Sequence, residues 1–162
     1  MSILRDRRLA ELEQLYRTRH AHFVNVARAI TGDGERAAEA VQDAFADAIR
    51  SRRTFREEGS FEAWVWRAVV NAARKAVRKP LVEAGSEAAL ELPAPANVVG
   101  LAPLIAALPE RQRLMVFLRY YADLDYRSIA QALDVEIGTV SATLAVAHRS
   151  IRRTLEEVQI DA

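Results

Sequence analysis

Apolar side chains recur along most of this chain at steps of three, four and seven residues, the spacing of one face of an α-helix. One such stripe covers residues 5–30, a second covers 35–50 and a third covers 61 to about 79. Glycines at positions 32 and 34 separate the first two stripes. The pattern therefore predicts three helices in the first half of the chain.

The third predicted helix carries its own start and stop signals. Ser60 is a suitable N-cap, Glu62 lies in the first turn beside the positive helix end, and Pro80 marks the end. The residues predicted to form its buried face are Phe61, Val65, Ala68 and Ala72.

Residues 80–97 contain three prolines and three glutamates and show no sustained amphipathic stripe. A short apolar segment follows, and Pro109-Glu110 is typical of the start of a helix, here predicted to run to Tyr121. No strand pattern is sustained. The sequence predicts an all-α protein of two small helical domains, residues 1–79 and 100–162, joined by a flexible linker at 80–99.

Residues 126–155 have the spacing of a helix-turn-helix. That motif needs a small residue where its helices cross, a turn residue that tolerates positive φ, and a buried branched residue on the second helix. Ala130, Asp134 and Val140 occupy these three positions. The apolar faces are predicted to contain Ile129 and Leu133 on the first helix and Leu144, Ala147 and Ile151 on the second. An ordinary helical hairpin is the alternative.

The overall charge of +1 conceals an asymmetry, because residues 1–79 hold 16 Lys and Arg against 11 Asp and Glu. The absence of cysteine excludes disulfides, thiol catalysis and cysteine-ligated zinc. We predict no metal site, since His20 and His22 point to different faces of a helix, and no cofactor or catalytic motif is recognised, so an enzyme is not expected. Charged residues interrupt every apolar run and no signal peptide is apparent, which predicts a cytosolic protein without membrane insertion.

Two sets of motifs resemble bacterial sigma factors. In the second half these are Leu108-Pro109-Glu110-Arg111, Leu118-Arg119-Tyr120-Tyr121, Tyr126-Arg127-Ser128-Ile129-Ala130 and Gly138-Thr139-Val140, which are similar to the fourth conserved region. In the first half they are residues 37–45, Thr54-Phe55, 59–65, Asn71 and Arg78, which are similar to the second conserved region. The short linker leaves no room for a third globular region, so the chain resembles the extracytoplasmic function (ECF) class.

This resemblance implies a factor that binds core RNA polymerase and directs initiation at particular promoters. It implies contact with the polymerase β′ coiled coil through Glu39, Gln42 and Asp43, and contact with the β flap. It further implies an anti-sigma protein as a regulatory partner. An auxiliary DNA-binding protein would serve to supplement a weak contact between the C-terminal domain and DNA. From the residues, these three side chains lie on the polar side of their helix, so they are available to a partner.

The resemblance also implies that residues 55–79 open and bind the minus-ten element, with the 55–60 loop forming a pocket for a flipped base. Unpaired bases stack on aromatic rings while cations hold the phosphates. The candidates are Arg56, Phe61, Trp66, Arg67, Arg74, Lys75, Arg78 and Lys79. Trp64 and Trp66 are two residues apart and cannot share a helix face, so we assign Trp64 to the core or its edge and leave Trp66 open for DNA.

The second helix of the helix-turn-helix should enter the major groove of the minus-thirty-five element. Its candidate contacts are Thr139, Ser141, Ala142, Thr143, His148 and Arg149. Glu136 stands at the start of this helix, where family members usually have Ser or Thr, and its charge repels phosphates. We therefore predict that the C-terminal domain binds DNA weakly by itself.

Two other functions remain open on the sequence. A sigma-like adaptor would bind polymerase or another regulator without initiating transcription. A helix-turn-helix repressor would bind duplex DNA without polymerase, with residues 1–79 as a ligand or dimer domain.

Overall fold

The computed structural model describes residues 6–78 and 101–160. Within these ranges the chain is helical and contains no strand. The helices are α1 (Arg7–Thr31), α2 (Gly34–Ser51), α3 (Phe61–Arg78), α4 (Ala102–Ala106), α5 (Glu110–Val116), α6 (Tyr126–Leu133) and α7 (Ile137–Ile160). A 3₁₀ turn follows α2 at Arg52–Thr54, and a π-helical turn follows α5 at Phe117–Tyr121.

Short-range signals place the helix ends where the sequence predicts them. Gly32 adopts a left-handed φ of 73° and its N–H donates to the Arg28 carbonyl at 2.8 Å, which ends α1. The Asp33 carboxylate accepts from the N–H of Glu35 at 3.1 Å and starts α2. Ser60 caps α3, because its hydroxyl accepts from the N–H of Ala63 at 3.2 Å.

Helices α1, α2 and α3 form a three-helix bundle around large rings. Phe23 and Trp66 are fully buried, with ring centroids 4.2 Å apart, and Phe23 also meets Phe45 edge to face. The buried side of α2 is lined by alanines, which let the helices approach closely.

The buried face of α3 is wider than its predicted stripe. Ala68 and Ala72 are only half-buried, whereas Trp66, Val69 and Val70 are inaccessible to solvent. The predicted face is therefore corrected. The buried face is wider because α3 packs against α6 as well as against α1 and α2.

The second half is a helix-turn-helix, as predicted. Asp134 adopts a left-handed φ of 54° between α6 and α7, Ala130 is buried at the crossing and Val140 is inaccessible to solvent. Asp125 caps α6 by accepting from the N–H of Ser128 at 2.7 Å, and this bond lowers the pKa of Asp125. The predicted helix 110–121 exists as α5 followed by the π-helical turn.

The two halves pack against each other, which the sequence does not predict. Helix α3 lies against α6, and α1 contacts α5 and the π-helical turn. Arg19 donates to the carbonyl of Ala122, and Asn25 donates to the Tyr121 hydroxyl. The predicted linker lies outside the described residues.

Among the described helices, none is by itself long and apolar enough to cross a membrane. The length and composition test is passed only by α6 and α7 taken together, across a bend of 104°.

Candidate nucleic-acid interface

One long face of α3 carries three of the six cations predicted to bind the minus-ten element. Its residues follow one another at steps of three or four, so they form a continuous row on the side opposite Trp66 and Val69. We call this row the α3 outer face; it consists of Trp64, Arg67, Asn71, Lys75 and Arg78. Arg74 lies half-buried at its border, and Lys79 lies outside the described residues.

The structure corrects the assignment of Trp66, which lies in the core, whereas Trp64 packs at the edge of the core as assigned. Trp66 has no exposed surface, so neither face of its indole is open to a base, and its Nε1 donates to Glu62 at 3.4 Å. Trp64 is half-buried and belongs to the α3 outer face. The sequence contains one sign of this arrangement: Arg67 and Asn71 follow Trp64 at steps of three and four residues, so the three side chains share one helix face.

Phe61 is the second aromatic candidate that the structure corrects. It is only 9% exposed, and its ring stacks on Trp64 at 5.4 Å with an interplanar angle of 18°. Phe55 meets both rings, at 5.2 Å from Phe61 and 5.8 Å from Trp64. Phe61 therefore supports Trp64 rather than offering a free face of its own.

The 55–60 loop is exposed apart from the half-buried Phe55. Arg56 projects from it, and a tight bond from the N–H of Glu58 to the Arg56 carbonyl, at 2.6 Å, bends the backbone. Gly59 has a φ of 113°, which favours glycine. The loop is thus a shaped and accessible turn directly before the α3 outer face.

The helix-turn-helix covers one end of this surface. The Gln131 amide pairs with the backbone of Ser60 twice, accepting from its N–H at 3.0 Å and donating to its carbonyl at 2.9 Å. A Cβ on Gly59 would lie 2.4 Å from Gln131 Oε1, so glycine is required for this approach. Asp134 reaches Arg67 at 3.3 Å. No pattern in the sequence predicts these contacts.

The candidates on α7 divide between its exposed face and its flanks. Ser141, Ala142 and Arg149 are exposed, while Thr139 and Thr143 are half-buried beside the buried face of Val140 and Leu144. Glu136 is exposed at the start of the helix, and its carbonyl accepts from the N–H of Thr139 at 3.0 Å. The negative charge therefore lies on the exposed surface directly before the first residue of α7.

His148, the remaining candidate on α7, is half-buried and contacts another element. Its Nε2 lies 2.8 Å from the Tyr120 hydroxyl, and the two rings are 5.6 Å apart. The histidine lines an apolar groove of about 410 Å³ that also contains Phe117, Tyr120 and Leu155. It lies two helical turns after Ser141 on the same side of α7, at the border between the exposed face and this groove.

Glu39, Gln42 and Asp43, the predicted polymerase contacts, are all exposed on α2. The structure divides them between two grooves. Glu39 and Asp43 border a polar groove of about 710 Å³ between α2 and α3. Gln42 borders an apolar groove of about 530 Å³ between α1 and α2, with Tyr16 and Ile49.

Comparison with known proteins matches both halves of the chain. The family model described as Sigma-70 region 2 matches residues 15–80, and the model described as Sigma-70, region 4 matches residues 101–147. The chain is a sigma factor of the ECF class. Its matched relatives carry that name: the ECF RNA polymerase sigma-E factor of Escherichia coli strain K12 is 29% identical, with 70% of each chain covered. ECF RNA polymerase sigma factor SigM of Mycobacterium tuberculosis is 28% identical, covering 88% of this chain and 76% of SigM.

Two solved structures share the fold of this ECF sigma factor. CnrH in complex with the cytosolic domain of CnrY has a TM-score of 0.70 and 20% identity, covering 92% of this chain and 90% of CnrH. The sigma factor RpoE of Bartonella quintana, in complex with the anti-sigma factor NepR, has a TM-score of 0.69 and 18% identity, covering 90% of this chain and 97% of RpoE.

A sigma factor of this class binds core RNA polymerase and directs initiation at particular promoters, and this is the function of the chain. The adaptor and the free repressor are not favoured, since regions 2 and 4 are both present and in the family's order.

Proposed function

We propose that the α3 outer face and the 55–60 loop together hold the unpaired strand of the minus-ten element. The single observation that carries this proposal is the continuity of Trp64 with the row of cations on α3. A half-buried indole on the same helix face as Arg67 and Lys75 provides both parts of a single-strand site, since bases stack on the ring and phosphates pair with the charges. Arg56, Arg74 and Arg78 extend the positive surface around them.

In the same proposal, the exposed side of α7 enters the major groove of the minus-thirty-five element. Ser141, Ala142 and Arg149 face the bases and the backbone, with Thr139 and Thr143 at the edges. Arg149 is the one cation among these candidates, so the site depends on few phosphate contacts. Weak binding by this half alone follows from that charge pattern and from Glu136.

Core polymerase is proposed to bind at two places. The β′ coiled coil covers α2 at Glu39, Gln42 and Asp43, where exposed Tyr16 and Ile49 supply apolar area to bury. The β flap covers the groove that contains Phe117 and Leu155. Because both sites serve polymerase at promoters, we place the protein in the cytoplasm. An anti-sigma protein, such as the one bound to RpoE, would compete for the same surfaces.

A reconstituted holoenzyme tests this function. The purified chain is mixed with core polymerase and genomic DNA fragments, start sites are mapped by sequencing, and permanganate detects unpaired thymines upstream of each start. Starts that share two upstream motifs, and that vanish without the chain, are expected. A chain that forms no stable complex with core would overturn the proposal.

Variants of two glutamines test the docking site. Gln42→Ala should weaken core binding severalfold, because Gln42 lies beside exposed apolar rings at a proposed interface. Gln14→Ala is the matched control, since Gln14 is an exposed glutamine on α1 that does not line the α1–α2 groove. Equal core affinity for the two variants would contradict the β′ assignment.

A further inference from the structure

Arg8 lies at the start of α1 and reaches the 55–60 loop. Its Nη2 donates to Glu57 Oε1 at 2.9 Å, and its Nη1 donates to Glu11 Oε2 at 2.7 Å. The guanidinium carbon is 4.7 Å from the ring centroid of Phe55 and 4.7 Å from that of Phe61. One side chain thus joins α1 to the loop and to the two rings that support Trp64.

We propose that Arg8 is a positioning residue for promoter opening, and that it holds the 55–60 loop and the Phe55–Phe61–Trp64 ring cluster in the shape that receives an unpaired minus-ten base. This inference rests on the proposed function of the loop. Arg8 precedes residue 15, where the match to the sigma region 2 model begins, so the family motif does not contain it.

A second ion pair fastens the same end of α1 to the chain just before the loop. Asp6 Oδ2 accepts from Arg52 Nε at 2.6 Å, while Asp6 Oδ1 accepts from the N–H of Arg8 at 3.1 Å. The hydrogen bond from Arg52 holds the pKa of Asp6 below its usual value. Asp6 therefore fixes the backbone of Arg8 and links it to the 3₁₀ turn that leads into the loop.

The surroundings of Arg8 favour a positioning role over a phosphate contact. Its side chain is 20% exposed, and two carboxylates, from Glu11 and Glu57, already balance its charge. A planar guanidinium can lie against two rings while its fork of N–H groups donates to two carboxylates, a geometry that the compact ammonium group of lysine does not reproduce. The arrangement depends on arginine specifically.

The contacts between Arg8 and the 55–60 loop become more important when polymerase separates the two halves. In the packed chain, Gln131 also restrains the loop through the backbone of Ser60. Once α6 moves away, those two hydrogen bonds are lost, whereas the bonds between α1 and the loop stay within region 2. Arg8 then keeps the loop ordered while it meets DNA.

The test uses reconstituted holoenzyme with Arg8→Ala, Arg8→Lys and the control Arg7→Ala. Arg7 is the adjacent arginine, with a side chain 81% exposed, and it pairs with Glu11 at 3.0 Å. For each variant we would measure core affinity, binding of a single-stranded minus-ten oligonucleotide over a range of salt, and permanganate reactivity.

Arg8→Ala should keep core affinity within about twofold and lower oligonucleotide binding and opening by about tenfold, the loss expected when a restraint of ordinary strength is removed. Arg8→Lys should share most of that loss, and Arg7→Ala should behave as the wild type. The slope of binding against salt should stay unchanged in all variants, because no phosphate contact is removed.

Glu57→Ala tests the other end of the bond without touching the core, since its side chain is 81% exposed. By electrostatics alone, removing this carboxylate should strengthen DNA binding. We expect weaker binding instead, because the loop loses its partner.

Three results would overturn the proposal. The first is promoter opening at the wild-type level by Arg8→Ala. The second is a salt slope of oligonucleotide binding that falls by about one in Arg8→Ala while Arg8→Lys keeps its activity, as expected for a lost phosphate contact. The third is tighter oligonucleotide binding by Glu57→Ala. Failure of the unaltered holoenzyme to open any promoter would instead count against the proposed function of the loop.

Discussion

The Asp134 carboxylate lies 3.3 Å from Arg67 Nη2, so the turn of the helix-turn-helix neutralises a cation on the α3 outer face. A duplex places the minus-ten and minus-thirty-five elements about 25 base pairs, or roughly 85 Å, apart. A compact chain of this length has a radius of gyration of about 15 Å. The halves must therefore separate before both elements can be bound, and the contact between Asp134 and Arg67 must break.

Asp134→Asn should shift the chain toward the separated form. Both side chains of the pair are exposed, so the change should be at most about fivefold. Adding Gln131→Ala should enlarge the change by removing both bonds to Ser60. The chain has no cysteine, so Ala21→Cys and Ala145→Cys can carry a dye pair whose energy transfer reports the distance.

Glu157→Gln is the control for that experiment. It breaks the Arg153–Glu157 pair, which has the same 3.3 Å separation but lies within α7. Equal energy transfer in the Asp134 and Glu157 variants would show that the contact between Asp134 and Arg67 does not hold the halves together.

Replacing Trp66 should mainly lower the free energy of unfolding, whereas replacing Trp64 should mainly weaken DNA binding. Trp66→Ala should lower the free energy of unfolding by about 3–5 kcal/mol, because it empties a fully buried site against Phe23. Trp64→Ala should lower it much less and should instead reduce binding of the single-stranded minus-ten oligonucleotide by holoenzyme. Denaturant unfolding and oligonucleotide titration measure the two effects. Normal oligonucleotide binding by Trp64→Ala would exclude stacking on this ring.

Stability should fall in acid because of His22. Burial, followed by the positive charge of Arg19, lowers the pKa of His22 from its ordinary value of 6.5, and Glu62 opposes this shift. Below pH 6.5 the unfolded chain therefore takes up this proton more readily than the folded one, so its contribution to stability is complete above pH 6.5 and decreases as pH falls.

Unfolding midpoints measured from about pH 8 to about pH 5 check this dependence. His22→Gln should flatten the acid side of the profile. His20→Gln, which changes a histidine of the same helix whose ring lies 4.7 Å from that of Tyr16, should leave it intact. If His22→Gln does not alter the pH dependence of the unfolding midpoint, the loss of stability in acid arises from other groups.

Glu136→Gln should tighten promoter binding by holoenzyme severalfold at low salt, with the gain shrinking as salt screens the charge. Glu156→Gln, at the other end of α7, is the matched control because it is also exposed on that helix. Identical affinities for the two variants, measured on a promoter with both elements, would show that Glu136 does not face the phosphates.

Local and periodic features of this protein could be predicted from its sequence. Gly32, Ser60 and Asp134 specify helix ends and the turn through their own backbone and side-chain chemistry, and the spacing of Ala130 and Val140 specifies the helix-turn-helix. These features depend on neighbours a few residues away. The family followed from two such motif sets in the right order.

Only the tertiary structure decided which side of α3 is buried, because that depends on two other elements. Packing against α1, α2 and α6 encloses Trp66, which the sequence leaves open for DNA, and places Trp64 at the edge of the core beside the cations. The same holds for His148, which pairs with Tyr120 across the groove, and for Arg8, whose partner Glu57 is 49 residues away. Sequence periodicity shows that a face exists, but long-range contacts determine what covers it.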